Sequence, residues 1–550
     1  MEVLVAGRAS VEIDLMDVDH VVVSRRRPRR FDAGHHRISF RLRLPSARRH
    51  GYGIRARLTP QRGDASPAGP KDAPVWASVE AIEGWWESPR HVALTSFRDP
   101  TKAPRLIAGA RAWHVTVAQA YDWMYRHYRY EAPTESFLDA LGRRVSHRAV
   151  RALVDCGHAA GIATLAYGSV YGAEPEYAAA HPDERVFDAT GEPLSLGGAF
   201  FINDLRPGSP WRTRLLREYV RACRRFGFDG IHMDTYGPPH EAVAADGTPI
   251  HFDELYPDLI DEAAARVEAT GDGRRVLFNC VEGFPLEVVA ARDQAALYLE
   301  LWPPDDRYAD LVRWIDRARA AGNGKAIVIA AYVPALRDAG DDPRRRARAV
   351  ESAILLTTVI SAAGASHHML ADGERILVEG YYPAAVRLRA DEAAEIRVAW
   401  VFGARYLHLL SDPMARARAG RTMEIFDRQG VPVPVTATPE AGAVWMRVTS
   451  TTSGEVVSLV DLRAQLEDRW DAEREAVEQN TGWVIRWPGA RSPVAMSPWT
   501  RSGSPRELRR APRGEGAALP SEPSPAVVPV EEPAWRLPSF RRWLVIFDRG

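Results

Sequence analysis

The chain has 550 residues, and 72 Lys+Arg offset 72 Asp+Glu, so the formal net charge is zero. That balance argues against a non-specific nucleic-acid binder, which carries a basic excess. With 46% hydrophobic and 26% charged residues, a disordered or fibrous chain is excluded. At roughly 150 residues per domain the length gives three or four domains, or fewer if one is a barrel of about 250.

Residues 1–100 read as a small β domain. Val21-Val-Val23 is a β-branched run, and 38–44 alternates with strand period. The Arg-rich run at 25–30 is short and isolated, as expected of a solvated loop. From 101 to 412 short apolar runs alternate with amphipathic stretches, the pattern of βα units. Eight strands are predicted, at 112–119, 162–167, 199–202, 230–234, 276–280, 297–301, 326–332 and 361–367. Helices are predicted at 211–226, 252–269 and 308–321. This α/β pattern fits a (β/α)8 TIM barrel; no Gly-x-Gly-x-x-Gly or Walker loop supports a nucleotide-binding sheet. Short strands over 413–490 predict a C-terminal β-sandwich. The remainder, 491–550, is a Pro/Arg-rich tail expected to be partly disordered, with 535–547 returning as an edge strand.

In such a barrel, chemistry sits at the C-terminal ends of the strands. Carboxylates, Asn, His and aromatic residues collect there. Asp234 closes the run Gly-Ile-His-Met-Asp, and Glu300 closes Leu-Tyr-Leu-Glu. On strands four and six, both would face one mouth. Glycoside cleavage needs such a pair: an acid for the leaving oxygen, and a carboxylate to attack the anomeric carbon or activate water. The alternative is that both are rim residues, solvated or ion-paired with Arg.

Other chemistries have weaker support. Adjacent His367 and His368 point opposite ways on a strand, and no His-Glu-x-x-His accompanies them, so no metal site is assigned. Ser169 lies in Tyr-Gly-Ser-Val-Tyr-Gly, which is not a nucleophile elbow. Cys280 reads as a buried structural thiol. With Cys156 and Cys223 it makes an odd, widely spaced set without a disulfide framework.

Several motifs in order, Tyr121-Asp-Trp-Met-Tyr, Phe228-Asp-Gly-Ile-His-Met-Asp-Thr-Tyr-Gly, Leu299-Glu-Leu-Trp and Glu379-Gly-Tyr-Tyr-Pro, resemble glycoside hydrolase family 66 over residues 10–480. That family holds endo-dextranases and cycloisomaltooligosaccharide glucanotransferases. The resemblance implies an immunoglobulin-like N-terminal β-sandwich, a catalytic (β/α)8 barrel and a C-terminal β-sandwich. It implies Asp234 as nucleophile and Glu300 as acid/base in a retaining, double-displacement cleavage of α-1,6-glucosidic linkages in dextran or isomalto-oligosaccharides. Trp302 would supply an apolar wall beside Glu300. Asp122, Trp123, Tyr171, Asn279, Glu282, Tyr332, Glu379 and Tyr381 are the candidate sugar contacts.

The partner expected is therefore an α-glucan, with no cofactor, nucleic acid or membrane. No export leader is evident, which gives the expectation of a cytoplasmic protein as the chain stands, or a secreted one if an export signal is missing from it. No extra carbohydrate-binding module interrupts the barrel, which favours hydrolysis. The alternatives are a cyclising or transglycosylating glucanotransferase, and a non-catalytic carbohydrate-binding protein on a barrel scaffold.

Overall fold

The computed structural model describes residues 2–5, 9–27, 34–37, 40–45, 48–60, 74–499, 504–511 and 533–550. Most of the proline-rich stretch in the tail falls outside them.

The centre is a curled eleven-strand sheet in a mixed α/β protein. Eight strands lie in parallel, each beside the next: β1 (His91–Leu94), β2 (Val117–Ala120), β3 (Ala163–Ser169), β4 (Gly230–Asp234), β5 (Arg275–Val281), β6 (Leu297–Glu300), β7 (Ile327–Ala330) and β8 (Ser366–His368). Just past β8, Leu370–Ala371 pairs in parallel with β1. These strands are buried along nearly their whole length, as expected where both faces of a parallel sheet are covered, and they carry polar residues among the apolar ones, up to the Ser-His-His of β8.

Three of the expected strands are corrected, the first of them 361–367, where the helix Pro343–Ala363 runs through its start and only Ser366–His368 forms a strand. Residues 199–202 form Phe200–Ile202, which pairs antiparallel with Gly172–Ala173 and Ser195–Leu196 in a separate three-strand sheet. Their place in the parallel set is taken by β1, a four-residue strand inside the region assigned to the N-terminal domain. The predicted strand 112–119 is shortened, because Ala103–Ala112 is a helix and only Val117–Ala120 pairs.

The helices follow their local signals. Pro210–Phe226 starts behind Ser209, whose side chain accepts from Arg212 N, and ends at Gly227 with φ 81°. Pro343–Ala363 repeats the device with Asp342 as cap, proline at the first position and Gly364 at φ 92°. The predicted helices 252–269 and 308–321 appear as Phe252–Glu268 and Tyr308–Ala321. Among the described residues, no helix is long and apolar enough to cross a membrane.

Towards the N-terminus, His20–Arg27, Ala9–Asp17, His50–Pro60 and Val75–Ala81 form an antiparallel sheet in that spatial order. Of the predicted strand 38–44, residues 40–44 are described and form no strand; Phe40 and Leu42 instead pack against Val11 and Ile13. Towards the C-terminus, a seven-strand and a four-strand sheet share one apolar core, including Val457, Trp483, Trp535 and Ile546.

The expected edge strand is another correction. Trp543–Asp548 lies inside the seven-strand sheet, paired with Gly454–Asp461 on one side and Val494–Met496 on the other. All six of its residues are buried, which the unbroken run Trp-Leu-Val-Ile-Phe permits.

Just before this strand, the buried Arg542 donates Nε and Nη2 to the two carboxylate oxygens of Glu351, both at 2.6 Å, and Nη1 to Glu395 at 2.7 Å. Glu351 and Glu395 lie on the helices Pro343–Ala363 and Ala390–Arg405. Breaking a buried pair from one side leaves the other charge uncompensated and costs about 3–5 kcal/mol. Arg542→Ala is therefore expected to lower the thermal midpoint by several degrees, while Arg542→Lys recovers only part of the loss. Calorimetry of the two variants checks this, and an unchanged midpoint would mean the tail does not brace the central helices.

Candidate active site

Asp234, Asn279 and Glu300 come from three successive strands, β4, β5 and β6. Register places Met233 opposite Phe278, so Asn279 stands level with Asp234. Val281 lies opposite Glu300 on the other side. Asn279 thus sits between the two acids. Its Nδ2 donates to Asp234 Oδ1 and to Glu300 Oε2, each at 2.7 Å. Two such bonds to one nitrogen hold the accepting oxygens within about 5.4 Å of each other. Amide hydrogens spread at about 120° put them ~4.7 Å apart.

The remaining oxygens have one tyrosine each. Tyr167, on β3, donates to Asp234 Oδ2 at 2.7 Å. Tyr332, just beyond β7, donates to Glu300 Oε1. Trp302 is half-buried, with its ring 5.1 Å from that of Tyr332. A Cβ on Gly380 would meet Trp302 at 3.1 Å and Glu300 Oε1 at 3.7 Å, so backbone without a side chain passes close to the acid here.

Burial raises the Asp234 carboxyl to about 7, with the neighbouring Glu300 charge adding to it; the bonds from Asn279 and Tyr167 oppose this. Burial likewise raises Glu300, opposed by Tyr332, Asn279 and Trp302. Full ionisation would place two negative charges about 5 Å apart in a poorly solvated site. The pair therefore keeps one proton near neutrality: one acid and one carboxylate. Asp234 is the more open of the two to solvent.

The other predicted contacts divide. Tyr171 is buried near Asp234, whose charge helps hold its phenol protonated. Asp122 is nearly buried and ion-paired, 3.5 Å from Arg143 Nη2 and 3.8 Å from His127 Nε2. Glu379 is held by Arg337 Nη1 at 2.7 Å, and Tyr381 is exposed. Glu282 is exposed, with φ 53°, and its backbone N–H donates to Glu300 O at 2.8 Å. Trp123 is a correction. It is fully buried, its indole donating to Tyr167 O at 3.2 Å and its ring packed against Tyr130, Phe226 and Phe228. Asp122, at φ 46°, turns the chain there and sends Trp123 into the core, leaving no face for a sugar.

The competing groups have structural roles. His367 is bonded to Thr357 Oγ1 and Ala331 O, at 2.9 and 2.8 Å. His368 Nδ1 lies 2.7 Å from Tyr298 OH. Ser169 Oγ accepts from Gly172 N, and Cys280 is buried, which pushes its thiol well up.

Tyr167 and Tyr382 were missed as site residues. The former ends a predicted strand, and that position was its only signal. The latter is buried beside Tyr332, with the hydroxyls 3.4 Å apart. A neutral donor to a carboxylate is worth roughly 1.5–3 kcal/mol. Tyr167→Phe is accordingly expected to lower kcat/KM about 10- to 100-fold and to move the acid limb of its pH profile upwards. A profile superimposable on the wild type would remove Tyr167 from the site.

A buried carboxyl pair at the C-terminal ends of two parallel strands that flank a third, sharing one proton, is the arrangement a glycosidase-type enzyme uses. Comparison with known proteins gives the family. The model for glycosyl hydrolase family 66 matches residues 6–489, and the chain belongs to that family. Two cycloisomaltooligosaccharide glucanotransferases of Niallia circulans are 26% and 24% identical to it, over 250 and 290 residues. Those alignments cover 42% and 48% of this chain but 26% and 30% of the relatives. The solved structure of a Paenibacillus sp. cycloisomaltooligosaccharide glucanotransferase, complexed with cycloisomaltoheptaose, superposes with a TM-score of 0.84. It shares 16% identity, with 98% of this chain and 95% of that one covered, and so speaks for the fold alone.

Proposed function

We propose that this chain is a retaining glycosidase that cleaves α-1,6-linked glucan, dextran or isomalto-oligosaccharides, by double displacement. The observation that carries the reading is the single amide of Asn279 bridging Asp234 and Glu300. Carboxyls about 5–5.5 Å apart suit retention; inversion needs about 6.5–9.5 Å to admit a water. The more open Asp234, ionised, attacks the anomeric carbon. Glu300 gives its proton to the departing glycosidic oxygen. In the second step Glu300, now a carboxylate, takes the proton of an incoming hydroxyl as that oxygen displaces Asp234.

The scaffold proposed is a (β/α)8 barrel between two β-sandwich units. Supporting it, the strand segment after β8 pairs back to β1. The barrel then begins before His91, and the strands of the tail join the C-terminal unit.

Whether the incoming hydroxyl belongs to water or to a sugar separates dextran hydrolysis from transfer. The names of the relatives favour transfer, including cyclisation, as the second reading. The product profile on dextran and on linear isomalto-oligosaccharides tests both. Shorter linear products support the hydrolase, and cyclic or lengthened ones the transferase. No product from any α-1,6 substrate would sink both and leave a binding protein.

A further inference from the structure

A second cluster lies at the other end of the parallel strands. Asp17 ends one strand of the N-terminal sheet, His50 begins another, and His408 sits on the short helix Leu407–Leu410. Their ligand atoms all fall within 4.8 Å of one another. His50 Nε2 is 3.1 Å from Asp17 Oδ1, and His408 Nε2 is 3.5 Å from the same oxygen. The residues Ala295, Gly324 and Ala326, which line the cavity beside the two histidines, precede β6 and β7; Asp234 and Glu300 close the opposite strand ends.

We infer that Asp17, His50 and His408 form a binding site for one divalent transition-metal ion of the zinc class. Zinc bonds of 2.0–2.2 Å to imidazole nitrogen and carboxylate oxygen make tetrahedron edges of about 3.3–3.5 Å. The two observed separations bracket that length. Two imidazoles and one carboxylate make a set that zinc favours over calcium or magnesium.

The two rings stack at 3.6 Å between centroids, within 8° of parallel. Two imidazolium ions would repel in that arrangement, so at least one ring is neutral and holds a lone pair for a metal. To aim both lone pairs at one point the rings must splay. They line a cavity of about 550 Å³ that gives them room and leaves a fourth position for water. His408 Nδ1 is buried without a hydrogen-bond partner, so its ring is not locked against such rotation. The ion would tie the N-terminal sheet to the helix leading out of the central sheet, and its contribution is to stability, away from the carboxyl pair.

The test uses the full chain stripped with a chelator and titrated with cobalt(II), then zinc(II). The expected result is one equivalent of cobalt with the visible bands of a four-coordinate ion, displaced by zinc, and a higher thermal midpoint with zinc. His50→Gln and Asp17→Asn alter side chains that are 18% and 36% exposed and keep the size of each group. Each is expected to weaken cobalt binding at least about 100-fold and abolish the midpoint shift. Absent bands in the wild type, or binding unchanged in both variants, would overturn the site. Turnover by the metal-free chain is expected to persist at temperatures where it stays folded.

Discussion

Asp234→Asn is expected to cut turnover at least ~10,000-fold and, at neutral pH, to raise the thermal midpoint. The first effect follows from the chemistry. An amide cannot form the glycosyl ester, so the first displacement has no nucleophile. The second follows from electrostatics. Burial and the neighbouring Glu300 lift the Asp234 carboxyl from 3.8 to about 7, a value that describes the one proton the two acids share. A folded-state value above the unfolded one means that the folded chain binds the extra proton between about pH 4 and 7. Stability then falls as pH rises through that window, and the cost is complete above it. The amide removes that cost. It can accept from Asn279 and donate to Tyr167, whose hydroxyl accepts as readily as it donates. The gain should therefore appear at pH 7–8 and vanish near pH 3.5. Calorimetry at both pH values, beside an assay on isomalto-oligosaccharides, checks both halves. An active variant would remove Asp234 from the nucleophile's role, and a gain independent of pH would contradict the electrostatic account.

Glu300→Gln has the second-largest expected effect, and its size depends on the leaving group. With a natural glucan the departing oxygen needs a proton, and losing the acid should cost about 100- to 10,000-fold in kcat/KM. An aryl glycoside with a stable phenolate needs no such help in the first step. Its first displacement should proceed nearly unimpaired, and the glycosyl-enzyme should accumulate because no base activates water. The alkaline limb of the kcat/KM profile, which reports the last proton of the pair, should disappear. Burst kinetics with an aryl glycoside tests the assignment. Equal losses on both substrates, with the alkaline limb intact, would assign the acid elsewhere.

Much of this site was legible because parallel strands announce themselves as short apolar runs and their C-terminal residues converge. Asp234 and Glu300 close β4 and β6, Asn279 lies two residues before the end of β5 and Tyr332 two beyond β7, and the structure brings the four together. Reading strand ends failed where the backbone turns. Asp122 takes a left-handed conformation, so Trp123, one residue on, points into the core instead of the mouth. Tyr167 closes the predicted strand 162–167, but the strand runs on to Ser169, so Tyr167 stands level with His232 and reaches Asp234 through the length of its side chain, which strand position alone does not reveal. The four-residue β1 is too short for periodicity to mark, while Phe200–Ile202 has the composition of a central strand but pairs in a loop sheet. Trp543–Asp548 follows a proline-rich stretch that suggested a tail. Its burial on both faces is a property of its partners, which sequence spacing does not reveal.

Retention requires two carboxyls held close enough for direct attack by one of them. The measurement that addresses this most directly is the anomeric configuration of the first product, followed by proton NMR as an isomalto-oligosaccharide is cleaved. Early appearance of the α-anomer, before mutarotation, is the predicted result. Early appearance of the β-anomer would mean a single displacement by water, and would contradict the role given to Asp234.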